Sequence, residues 1–192
     1  MKFLNLYEFK LFLISTLIVT IKYFVSYYFY PDEDLFFKIF RLADADFNTY
    51  SLIVESISRI DFKTDWSLNQ LSEKIIGFPF FSLIWHSIFF HFFDYYSFII
   101  LEIFFYFILI LLFFKIFYLV QKDLLISFIS VIILISSLEI LSLIINFTNL
   151  NFIVVLRPLA EFYGQRFPHP LVTSVYFFTI FLISIKLFQS SN

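Results

Sequence analysis

An all-α, polytopic membrane protein is the fold class this sequence predicts, on three observations. Of 192 residues, 61% are hydrophobic and only 15% are charged, with a mean hydropathy of +0.91, well above the apolar share of a soluble domain. The apolar residues fall in runs of about twenty, the length at which a helix rising 1.5 Å per residue crosses a hydrocarbon core of about 30 Å. Much of the charge gathers between these runs, in stretches 31–95 and 146–170. The chain carries 33 Phe and 2 Gly; codon bias in an AT-rich genome accounts for such a Phe count, so no aromatic motif is read from it. A net charge of −2 without a basic run argues against nucleic acid as a partner. With no Cys, the chain has no disulfide, thiolate metal site or cysteine nucleophile.

The first element, about 11–30, follows a short head bearing Lys2 and Lys10 and reads as an uncleaved spanning helix, too long for a signal peptide. Pro31 ends it, and Asp32 stands where an N-cap belongs. A short amphipathic helix should follow, with Leu35, Ile39 and Leu42 on one face, and with Asp34 and Lys38 paired on another. Tyr50, Ile53, Val54, Ile57 and Ile60 form a second apolar stripe, opposite a Glu55–Arg59 pair, as in a helix lying along the membrane surface.

Residues 75–94 are apolar enough to span, but Gly77, Pro79, His86, His91 and Asp94 interrupt them. Keeping this segment at the outer surface puts Lys115 and Lys122, at the end of the next span (96–118), on the side of Lys2 and Lys10. Spans at about 124–145 and 171–188 complete a set of four, with Lys186 inside and both termini cytoplasmic. The expectation is one membrane domain over 1–192, in a bacterial inner membrane, with outer loops 31–95 and 146–170.

Several ionisable residues mark candidate sites. Lys22, Glu102 and Glu139 each fall about 9–12 Å below the outer surface by helical rise, where such groups normally face a partner or a polar cavity. Lys22 is expected to pair with Glu102 or Glu139; the plain alternative is a snorkelling lysine and two protonated glutamates. Asp32, Glu33 and Asp34, with Asp44 and Asp46, can act as a base or hold a divalent cation such as Mg or Mn; an acidic, solvated loop is the alternative. In the second outer loop, Arg157, Arg166 and His169 suit phosphate, and the arginines equally suit lipid headgroups or the acidic loop. His86 and His91 are five apart, off the i, i+4 spacing of a helical zinc pair. Two glycines make no phosphate-cradling loop, so no nucleotide cofactor is expected. Asn146-Phe147-Thr148 matches a glycosylation acceptor, a short pattern frequent by chance.

The Asp32-Glu33 pair after the first span, the amphipathic helix, the run Gly77-Phe78-Pro79-Phe80-Phe81-Ser82-Leu83-Ile84-Trp85-His86 continuing to Phe93, and Tyr95-Tyr96-Ser97 leading into the next span together resemble the start of the GT-C type membrane glycosyltransferases. The resemblance covers about residues 11–120. It implies transfer of a sugar from a polyprenyl-phosphate donor at the outer face to a lipid, glycan or protein, with Asp32 as catalytic base or metal-linked acid and Glu33 beside it. The Lys-Pro-Pro common before the corresponding helix is Phe78-Pro79 here, with the nearest lysine at Lys74. Members have about twice as many spans, so an N-terminal part of a longer chain is expected. The competing expectation is a non-enzymatic membrane protein, a transporter component or scaffold, with Lys22, Glu102 and Glu139 as a polar pathway.

Overall fold

The computed structural model describes residues 2–42, 47–60, 80–135 and 171–190, and every regular element among them is a helix. These are α1 (Lys2–Phe29), α2 (Leu35–Leu42), α3 (Phe47–Ser58), α4 (Phe80–Phe93), α5 (Tyr96–Gln121), α6 (described over Leu124–Ile135) and α7 (Leu171–Ser190). Two of the described helices, α5 and α7, are long and apolar enough to cross a membrane. The expected third span beyond residue 135 and the loop 146–170 lie outside the described residues.

Helix α5 is the centre of the fold, packed against α1, α4 and α7. Its hydrophobicity runs all round the helix, the pattern of a helix with no water-facing side, and 56% of its most apolar stretch is buried against 28% for α7. Helix α1 shows why the chain packs as it does. Leu11, Ser15, Val19 and Tyr23, each four residues on, form its buried face, while Leu13, Leu17, Ile21 and Phe24 form an exposed face that is just as apolar. Ser15 turns its hydroxyl back to the Phe12 carbonyl at 2.8 Å. This leaves a small side chain at the helix contact, the device by which apolar helices approach closely.

α1 and α5 run antiparallel. Tyr7 stacks on Phe114, Phe12 meets Phe107 edge-on, Glu8 pairs with Lys115 at 3.7 Å, and Tyr23 hydrogen-bonds Glu102, so contacts move down α5 as they move up α1. The chain between them therefore returns to the end it left. Helix α4, with 14 residues, reaches only about 21 Å and forms a hairpin with α5: Phe90 meets Tyr95 and Phe98, and His86 lies against Phe98 and Phe105. A second turn joins α5 to α6. Asp123 caps α6 by accepting the Ile126 N–H at 2.9 Å, and Phe128 returns to Tyr7 at 5.3 Å. Helix α7 is held by Phe178 on Phe113 at 4.7 Å and by Trp85, whose indole N–H donates to the Tyr176 hydroxyl at 2.8 Å.

Local expectations changed in three places. α1 begins at Lys2, well before residue 11, because Tyr7 and Glu8 find partners on α5 and α6 that extend the helix. α2 begins at Leu35, and the Asp34 carbonyl accepts its first helical bond from Lys38 N–H at 3.1 Å. Asp34, rather than Asp32, occupies the cap position. Ile60 is 78% exposed, since α3 stops at Ser58 before the stripe reaches it, whereas Tyr50, Ile53, Val54 and Ile57 are buried as the stripe predicts.

Candidate functional site

Three carboxylates stand on one short turn at the end where α1 finishes and α5 begins. Proline favours the second position of such a turn: Pro31 follows Tyr30, and the Glu33 N–H donates to the Tyr30 carbonyl at 3.4 Å. Asp32 and Asp34 are exposed and Glu33 is half-buried. The turn is braced from below by Lys38. That residue is buried, its ammonium donating to the Pro31 carbonyl at 3.0 Å and lying 4.5 Å from the centre of the Tyr27 ring. This corrects the placement of Lys38 on the polar face, and cation–π attraction together with a bond to a carbonyl accounts for its inward turn. Phe36, at 5.2 Å from Tyr95, ties α2 to the start of α5.

A second polar feature lies between α1 and α5. The Tyr23 hydroxyl donates to Glu102 Oε2, both side chains being buried. The sequence marks Glu102 as a candidate polar residue, but carries no local sign of a partner 79 positions away. Lys22 is the neighbouring residue on α1, with its side chain outside the described residues, and Glu139 lies outside them altogether.

The third feature is an open groove of ≈ 820 Å³ between the end of α3 and the α4–α5 turn, with Arg59, His91 and Asp94 among its polar residues and Phe93, Tyr96 and Ile100 among its apolar ones. Arg59 is held by Glu55, as the spacing predicts. Burial and then the Glu55 and Asp94 carboxylates push the Tyr95 hydroxyl above its usual range, with Arg59 opposing them. These charges therefore act on one small region. His86, by contrast, is fully buried, a flat ring between Phe98 and Phe105.

Of the expected phosphate and metal residues, Asp44, Asp46, Arg157, Arg166 and His169 lie outside the described residues. Among the described residues no group of three or more His, Asp or Glu side chains could hold a metal ion; Asp34 lies within them, on the turn it shares with Asp32 and Glu33. Compared with known proteins, the chain matches no family model, no curated protein and no solved structure.

Proposed function

We propose that the chain is an integral membrane protein that moves a sugar from a polyprenyl-phosphate donor to a lipid, glycan or protein acceptor at the outer membrane surface. The observation that carries this reading is a shared end: the antiparallel α1–α5 pair puts exposed Asp32 and Asp34 beside the short helices α2 and α3, at the opposite end from Lys10, Lys115 and Lys122. We take the end with Lys10, Lys115 and Lys122 to face the cytoplasm, which leaves the acidic turn outside, with the inner bacterial membrane as the proposed location.

In the proposed reaction Asp32 takes the proton of the acceptor hydroxyl as its oxygen bonds to the anomeric carbon, and the sugar–phosphate bond breaks with its electron pair leaving on the phosphate oxygen. Glu33 stands beside the base. Arg157, Arg166 and His169 are proposed to hold the phosphate. A magnesium or manganese ion at Asp34, Asp44 and Asp46 would add positive charge there, although the described residues form no complete ligand set, and the proton transfer itself uses Asp32 alone. Replacing a general base usually costs about 10²–10⁴-fold in rate. Asp32→Asn in the full chain should therefore lower transfer from a radiolabelled polyprenyl-phosphate sugar by that factor, with insertion unchanged. Undiminished transfer removes the assignment.

A second reading, a non-enzymatic multispan component, is favoured by the Tyr23–Glu102 pair, a buried polar contact between two apolar helices well suited to assembly. That reading expects Asp32→Asn to be silent.

A further inference from the structure

The groove at the α4–α5 turn has a polar rim and an apolar wall in the order that a phospholipid presents its own parts. Arg59 and Asp94 stand at the rim, the Arg59 side chain 74% exposed. The apolar wall starts at Tyr96 and continues to Ile100, one helical turn further along α5 and about 6 Å deeper. Tyr96 sits where aromatic residues collect at a membrane–water interface. Phe93 and Ile100 remain substantially exposed, leaving an acyl chain a surface to lie on.

The charges select the headgroup. Glu55 already holds Arg59, and Asp94 adds a further carboxylate, so the fixed charge of Arg59, Glu55 and Asp94 together is negative. A headgroup with negative charge alone gains little from such a set. A zwitterionic one can set its phosphate against Arg59 and its ammonium against Asp94, and only a primary ammonium has N–H donors for that carboxylate. We propose that this groove binds an ethanolamine phospholipid, with Arg59 and His91 on the phosphate, Asp94 on the ammonium, and one acyl chain along Phe93, Tyr96 and Ile100. The site rests on the membrane reading and is independent of sugar transfer.

Native mass spectrometry of the full chain in detergent, given equal amounts of dioleoyl phosphatidylethanolamine, phosphatidylcholine and phosphatidylglycerol, tests it. Ethanolamine lipid should be retained about tenfold over the other two, the factor expected for one charge-assisted hydrogen bond. Asp94→Asn should bring its retention down to that of phosphatidylcholine, and Arg59→Gln should weaken both. Asp123→Asn, at the opposite end of the molecule, should change nothing. Equal retention of the three lipids, preference for phosphatidylglycerol, or unaltered binding by the groove variants would overturn the proposal. So would an equal loss in Asp123→Asn, which would mark a general surface charge effect. Absence of any saturable lipid binding would overturn it as well.

Discussion

Glu102 shows how a single residue can organise a helix contact. A carboxyl group buried between apolar helices must find a donor, since its apolar surroundings offer none, and the Tyr23 hydroxyl supplies one across the α1–α5 contact. Interhelical hydrogen bonds of this kind contribute about 0.6–2 kcal/mol. A double-mutant cycle of Tyr23→Phe and Glu102→Leu, read by unfolding in detergent, should give a coupling of about 1 kcal/mol. A coupling near zero would reduce the pair to packing. Lys38 obeys the same rule beside the end of α1, where its buried ammonium reaches both a carbonyl and an aromatic face.

At the scale of elements, the ends of the helices are set by local chemistry, and the middles by packing. α5 closes at Lys122, whose backbone takes the left-handed form at φ 59° while its N–H donates to the Tyr118 carbonyl at 2.9 Å. A side chain there carries a steric penalty that glycine avoids, roughly 1 kcal/mol. Lys122→Gly should therefore raise stability by up to about 1 kcal/mol, seen as a higher melting temperature in detergent; a fall would show that the lysine side chain contributes more than the backbone penalty. Asp123 immediately starts α6, which makes the α5–α6 connection a tight one. α4 is different: described over 14 residues, it turns back at Asp94, another left-handed residue, φ 51°.

The whole molecule has two unlike ends. Glu8 with Lys115 marks one, and the Asp32–Asp34 turn with α2, α3 and the groove marks the other. Because the chain contains no cysteine, single cysteines report their side without background. Asp34→Cys and Lys122→Cys should react with an impermeant maleimide from opposite faces of sealed vesicles. Labelling of both from one face would overturn the proposed membrane arrangement.

Composition and periodicity sufficed for the all-α class, for the helices centred on α5 and α7, and for the buried stripe of α3 from Tyr50 to Ile57, because these follow from hydropathy counted along a helix. The Glu55–Arg59 pair was legible too, being one turn apart on the same helix. Partners across helices were not. That Glu102 meets Tyr23, that Lys38 turns inward over Tyr27, and that Arg59 and Asp94 share a groove depends on which faces of α1, α3, α4 and α5 come together, and residues 79 positions apart in the chain carry no local sign of their contact. Local pattern set what each segment is; the antiparallel docking of α1 on α5 decided which charges stand at which end, since only side-chain packing fixes how two apolar helices rotate against each other.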